Sequence, residues 1–172
     1  MLALARSRPA TLGAGRLVCV DGPSGSGKTT LALGLAELDA DVRVVHMDAL
    51  YDGWGGLPRV DAQLTTLLTP LAAGRPGRYR RYDWHAGAYA EDVRVPPSPL
   101  LVLEGVGSYS PALDSLVTLL VWVEAPKSER LARALDRDGA AYEPELRQWA
   151  VDERAHFART GARERADLVV RS

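Results

Sequence analysis

The sequence predicts an α/β fold in which a parallel sheet is covered by helices on both faces. Strand-length apolar runs alternate with helical patterns, which is the mark of successive βαβ units. The composition, 47% hydrophobic and 25% charged over 172 residues, is that of a soluble globular chain long enough to bury a full core. A glycine-rich stretch joins the first apolar run to the first helical pattern.

The elements follow in order. Residues 1–16 hold three arginines and no acid, and read as a short leading helix and turn, with a transit segment as the alternative. The first strand is expected over 16–20. It runs into Gly22-Pro23-Ser24-Gly25-Ser26-Gly27-Lys28-Thr29, which fits G-x-x-x-x-G-K-[ST]. Glycines at this spacing let the backbone wrap a polyphosphate, with successive N–H groups and a helix N-terminus aimed at the anion. Lys28 reaches the outer phosphates, and Thr29 offers a hydroxyl to Mg²⁺, which takes hard oxygen ligands. A helix is expected over 28–38, so Thr30 lies in its first turn beside the phosphates. Further strands are expected over 42–47, 100–104, 117–123 and 167–170, and further helices over 61–73, 126–138 and 144–159. Pro144 suits a first helical turn, where its missing N–H costs nothing. Residues 74–99 carry three glycines and four prolines among tyrosines, arginines, Trp84 and His85. That is too long for a plain connection and reads as a functional insertion over the site.

Ligands of open α/β sheets bind beyond the carboxyl ends of the strands. The second strand ends at His46-Met47-Asp48 and the third at Leu103-Glu104-Gly105, so both acids emerge at the edge that carries the glycine loop. Phosphoryl transfer needs Mg²⁺, cations around the moving group and an acid to orient the attacking hydroxyl. Asp48 is the candidate base, weighed against a helix cap or turn. Glu104 ends an apolar run where a bare carboxylate is costly; a magnesium ion is its natural partner, and an arginine the alternative. Arg130, Arg133 and Arg137 share one face of the 126–138 helix, a stripe that an anion such as ATP would neutralise. The residues after it, about 137–145, read as a short lid. His46 and His156 read as structural, since no two histidines have metal-ligand spacing.

Asp21 to Thr30, Met47-Asp48 with Tyr51, Tyr82-Asp83-Trp84-His85, Leu103-Glu104-Gly105 and Arg130-Leu131-x-Arg133-x-x-x-Arg137-Asp138 stand in the order found in uridine kinases. The chain resembles the uridine kinase and phosphoribulokinase group of P-loop kinases, over about residues 17–138. That resemblance implies a P-loop NTPase fold of the nucleoside and nucleotide kinase type: a three-layer α/β/α sandwich with a five-stranded parallel sheet in the order 2-3-1-4-5. It implies ATP- and Mg²⁺-dependent phosphorylation of an acceptor hydroxyl, with Asp48 as base, Tyr51, Tyr82 and His85 contacting the acceptor, and Arg133 and Arg137 near the phosphates. Lys28 and these two arginines would form the catalytic set with Asp48; Gly22, Ser24, Gly25, Ser26, Gly27, Thr29, Thr30 and Arg130 would hold nucleotide; Thr29 and Glu104 would hold the metal. Asp48-Ala49-Leu50-Tyr51 departs from the Asp-Phe-Tyr type sequence of uridine kinases, and the lid is short, so the acceptor need not be uridine.

The expected organisation is a single kinase domain over 1–172, with an acceptor-site insertion at 74–99. A nucleoside is the leading acceptor. A nucleoside monophosphate stays open because Arg75, Arg78, Arg80 and Arg81 could bind a phosphate, and so does a nucleotide-binding regulatory module with little turnover. No Asn/Thr-Lys-x-Asp sequence is present to read guanine. A net charge of −1 gives no reason to expect nucleic acid or membrane as partner, and no stretch approaches a membrane span. Cys19 is the only cysteine, which points to a reducing, cytoplasmic setting. Self-association is left open.

Overall fold

The structure, a computed structural model, describes residues 1–172. The main sheet is built from β1 (Arg16–Asp21), β2 (Val42–His46), β5 (Leu100–Glu104), β6 (Leu119–Glu124) and β7 (Leu168–Arg171). Its order is β2-β5-β1-β6-β7, all parallel, which is 2-3-1-4-5 among its own strands. Alternate residues of each strand feed opposite faces. Leu17, Cys19, Val45, Leu101, Leu103, Leu120 and Trp122 enter one core, and Val18, Val20, Leu100, Val102, Leu119, Val121 and Val123 the other. The helices α1 (Leu2–Ser7) and α2 (Lys28–Leu38) contribute Ala5, Ala32 and Leu35 to the second core. Leu64, Leu67, Leu68 and Leu71 of α3 (Asp61–Ala72) and Trp149 of α5 (Glu143–Thr160) belong to the first. Parallel strands buried on both faces read as unbroken apolar runs for this reason, and the three-layer expectation holds.

Three differences from the sequence reading matter. Residues 47–59 form three short 3₁₀ turns, Met47–Ala49, Gly53–Gly55 and Leu57–Arg59, which fold the chain back over the carboxyl end of β2. The segment 74–99 is an antiparallel hairpin, β3 (Gly77–Asp83) and β4 (Ala88–Val95), with an irregularity between Arg80 and Tyr82. The strand expected from 117 begins at Leu119, because Pro111–Leu116 forms a 3₁₀ turn closed by Val117 N–H on Asp114 O. After β6 come α4 (Lys127–Asp138), the turn Ala140–Tyr142, α5 and the short α6 (Ala162–Arg165). No helix is long and apolar enough to cross a membrane.

Candidate functional site

The loop between β1 and α2 can take its shape only with glycine at set places. Gly22 has φ +138° and Gly25 φ +75°; a Cβ would meet Val123 O at 2.1 Å in the first case and Arg130 O at 2.4 Å in the second. Gly27 ends the loop in the left-handed region, which any other residue would strain, and leads into α2. The Ser26 hydroxyl is buried within this loop with no protein partner. Lys28 is buried, its ammonium donating to Pro23 O at 2.9 Å. Burial pulls the Lys28 pKa below the ordinary lysine value, and the negative charges of Glu153, Asp21, Glu104 and Asp48 oppose that pull. Beneath the loop, Asp21 accepts N–H bonds from Gly22, Gly107 and Tyr109 at 2.7, 3.0 and 3.0 Å. Burial still raises its carboxyl to about 6. Thr30 lies exposed in the first turn of α2.

The parallel register brings the next group together. His46 at the end of β2 lies beside Glu104 at the end of β5, which in turn lies beside Val20 of β1. Glu104 is buried; both its oxygens lie 3.2 Å from Thr29 Oγ1, and Oε1 lies 2.5 Å from His46 Nδ1. Its partners are therefore a threonine and a histidine, not an arginine. The sequence reading had treated His46 as structural; the register with Glu104 is the signal that was missed. That hydrogen bond raises the His46 pKa above the ordinary histidine value.

Asp48 sits in the turn just beyond. It is open to water yet walled by protein, and desolvation followed by the charge of Glu104 raises its carboxyl above the ordinary aspartate value. The positive charges of Arg137, Lys28 and His46 oppose that rise. From α4, Arg133 donates to Gly25 O at 3.2 Å and Arg130 to Ser24 O at 3.4 Å, which lays the arginine face along the phosphate loop. Arg137 is paired with Asp138 at 2.7 Å. Gly139, at φ +94°, ends the helix and releases the chain into the turn before α5.

The hairpin leans over the Asp48 turn, with Trp84 Nε1 donating to Asp48 O at 2.9 Å. Trp84 meets Tyr82 and Trp54 edge-on, each at 5.3 Å between centroids, and Trp54 reaches Tyr142 and Trp149 at 6.0 and 6.2 Å. Tyr82 also packs against Gly53. His85 lies exposed at the hairpin turn. Tyr51 corrects the expectation: it is 1% exposed, its hydroxyl donates to Val106 O, and its ring packs edge-on against Trp149, so it supports the wall from below. Trp54, Tyr142 and Trp149 were not expected here. They join the wall because the 3₁₀ turns and the start of α5 converge, which no local pattern announces.

The hairpin arginines do not converge on Asp48. Arg75, Arg78 and Arg80 line a groove of about 440 Å³ against Gln63, Thr66 and Pro70 of α3, apart from the phosphate loop and the arginine helix. Arg81 is paired with Glu91 and Asp83.

One further carboxylate emerges only in the structure. Glu153 of α5 is buried and accepts Ser24 N–H of the phosphate loop at 2.6 Å and Trp149 Nε1 at 3.0 Å. Its signal was readable: Leu146, Trp149, Glu153, His156 and Thr160 recur at helical spacing as the inward stripe of α5, with an acid at its centre. His156, on the same stripe, is buried with Nε2 unpartnered and Nδ1 3.2 Å from Arg159.

Together these residues form a cleft with an anion-binding loop, a hydroxyl and carboxylate pair suited to a hard cation, a solvent-open carboxylate and an aromatic wall. No group of three His, Cys, Asp or Glu side chains converges to bind a metal by protein ligands alone. A magnesium ion fits the Thr29 and Glu104 oxygens, because it binds through one or two such groups and completes its shell with phosphate and water.

No family model matches the chain. The chain is similar to the uridine kinase of Borrelia duttonii, 24% identical, over 90% of this chain and 85% of that one. Among solved structures it is similar to a possible uridine kinase from Bacillus stearothermophilus, with a TM-score of 0.67 and 21% identity over 91% of this chain and 89% of that one. It is also similar to a candidate fructose transport system kinase from Silicibacter sp. TM1040, with a TM-score of 0.59 and 23% identity over 90% and 89%. The chain has the fold of these P-loop kinases and resembles the uridine kinase-like group in sequence.

Proposed function

We propose that this chain is an ATP- and Mg²⁺-dependent kinase that transfers the γ-phosphoryl group to a hydroxyl of a small molecule, with a nucleoside as the first acceptor class. The observation that carries the reading is the meeting, at one edge of the sheet, of Lys28 in the glycine loop, the Thr29 and Glu104 pair with His46, and Asp48 two residues beyond that histidine. Similarity to a protein named uridine kinase supports the acceptor class.

In this reading the N–H groups of Gly25 and of Gly27 to Thr30, which have no partner within the protein, and the Lys28 ammonium bind the polyphosphate, while the Gly22 and Ser24 N–H groups stay on Asp21 and Glu153. Thr29 and Glu104 would hold Mg²⁺, which when bound would neutralise phosphate charge. Asp48 orients the acceptor hydroxyl and takes its proton. Arg133 and Arg137 swing from their present partners, Glu129, Ser172 Oγ and Gly25 O for the first and Asp138 for the second, onto the transferring group as the turn at Gly139 closes as a lid. The hairpin is the acceptor-side insertion: Tyr82 and Trp84 offer aromatic faces to a base, with Trp54 behind them, and His85 lies at its rim. Arg75, Arg78 and Arg80 line a groove against α3, and Arg80 also lines one with Leu50, Asp52 and Arg59, so a nucleoside monophosphate stays as the alternative acceptor. The buried, unpaired Cys19 suits a cytoplasmic enzyme.

The test is ATP consumption with Mg²⁺ against a panel of nucleosides, nucleoside monophosphates and simple sugars. An acceptor that stimulates turnover and emerges phosphorylated is the expected result. ATP binding with no acceptor on the panel phosphorylated turns the reading toward a nucleotide-binding regulatory module.

A further inference from the structure

Glu153 has no part in the scheme above, yet it is a buried acid held by two parts of the chain. It is 3% exposed, and one oxygen, Oε1, serves two N–H groups from different parts of the chain: Ser24 of the phosphate loop and Trp149 one turn earlier on α5. Isolated carboxylates are costly to bury, and this one is balanced by Lys28 and Arg130 as well as by its two hydrogen bonds. Among the acids around Lys28, Glu153 opposes the effect of burial most strongly. Trp149 in turn packs edge-on against Tyr51 at 4.9 Å and Trp54 at 6.2 Å, Trp54 packs against Trp84 at 5.3 Å, and Trp84 holds the carbonyl of Asp48. The chain of contacts Ser24, Glu153, Trp149, Trp54, Trp84, Asp48 therefore spans from the nucleotide side of the cleft to the acceptor side without a gap.

We propose that Glu153 is a positioning residue that anchors the phosphate loop to α5 and, through Trp149, ties the loop to the aromatic wall beside Asp48. It touches no reacting atom in this scheme. Its role rests on the kinase reading for its purpose, but its geometry and its test do not require turnover. The physical logic is that one oxygen cannot keep ideal geometry to two N–H groups if either moves alone. A polyphosphate drawn into the loop by Lys28 shifts the Ser24 end, and the Trp149 end must follow.

The experiment compares the wild type with Glu153→Gln and Glu153→Ala, each first shown to be folded by thermal melting. Mg·ATP affinity is measured by calorimetry. Tryptophan emission is then recorded at saturating Mg·ATP, with all four tryptophans retained in every variant. The alanine variant is expected to lose about tenfold or more in Mg·ATP affinity, the scale of a charge-assisted hydrogen bond. It is also expected to lose the nucleotide-induced emission shift. Glu153→Gln, whose amide oxygen still accepts both bonds, recovers most of the affinity and the shift. Should the alanine variant melt below the assay temperature, Glu153→Met, of similar volume and without a strong acceptor, replaces it with the same expectations. Unchanged affinity without the carboxylate overturns the anchoring role. An emission shift equal to that of the wild type, or none in the wild type, overturns the link to the aromatic wall. A wild type that binds Mg·ATP but phosphorylates nothing counts against the kinase reading alone.

Discussion

Asp48 is held above the ordinary aspartate pKa by desolvation and by the charge of Glu104, while remaining open to an incoming hydroxyl. In its proposed role as base it works only ionised. The sign of its pH dependence follows: kcat/KM falls on acidification through a pKa above 3.8, while the limb on the alkaline side of that pKa stays flat. Asp48→Asn is expected to keep Mg·ATP affinity and to lower kcat by about 10²- to 10⁴-fold. It also loses that acid limb, and steady-state kinetics across pH checks both. Near-normal turnover in Asp48→Asn would remove the residue as the base. Its partner across the wall, Trp84, contributes a single N–H to the Asp48 carbonyl. Trp84→Phe keeps a ring and loses that bond, so kcat with the acceptor is expected to fall by about two- to tenfold with the KM for ATP unchanged. At this scale the sequence was most informative where chemistry restricts residue choice. Gly22 to Thr29 stood out because few sequences fit a glycine loop of that spacing, and the structure brings Asp48 and Glu104 to the same edge of the sheet as that loop. Tyr51 misled because a tyrosine near an active-site turn is as useful in the core as on the wall. Glu153 was overlooked because acids on helices are usually solvated.

At the scale of elements, the three central strands β1, β5 and β6 were legible because each is buried on both faces, which leaves an apolar run without alternation, while the edge strands β2 and β7 are only partly covered. The hairpin was not. Gly77–Asp83 reads Gly-Arg-Tyr-Arg-Arg-Tyr-Asp, and its outward arginines hide the half-buried Tyr79 that packs on the core. The end of the sheet offers a test of how elements are tied. Glu124, the last residue of β6, is bonded to Arg163 of α6 at 2.9 Å, to Arg171 of β7 at 3.2 Å and to Trp122 Nε1 at 3.1 Å. These bonds, Arg163 first, pull its carboxyl from 4.5 to about 2. A depressed folded-state value means that the stabilisation is fully present above about pH 4.5 and is lost as pH falls toward 2. Glu124→Gln is therefore expected to be less stable than the wild type at pH 7 and to converge on it in acid. Urea denaturation at pH 7 and at pH 3 checks this. A constant gap between the two proteins would show that the ion pairs are screened into insignificance.

For the whole molecule, the strand order is what turns separate residues into a cleft. With β5 between β1 and β2, the carboxyl ends of three neighbouring strands deliver the phosphate loop, Glu104 and His46 side by side. The same order leaves β6 to carry α4, so its arginines lie against the loop from the other side. Strand order came from resemblance to a family and not from periodicity, since an apolar run does not say which neighbour it will have. The cleft is thus assembled from parts whose mutual positions are set chiefly by the sheet, and a polyphosphate would join β1, α2 and α4 at once. Ligand binding to the folded state alone stabilises by RT ln(1 + [L]/Kd), about 2.7 kcal/mol at a hundredfold excess over Kd. For a chain of this size that corresponds to a rise in Tm of about 5–10 °C. Mg·ATP is expected to produce such a rise in the wild type and in Asp48→Asn, whose defect lies in transfer. In Lys28→Ala the rise is expected to be largely lost, because the loop keeps its N–H groups but not the buried ammonium that neutralises the anion. Scanning calorimetry of the three proteins separates binding from chemistry without any acceptor. An equal rise in Lys28→Ala would mean that the nucleotide does not sit in this loop.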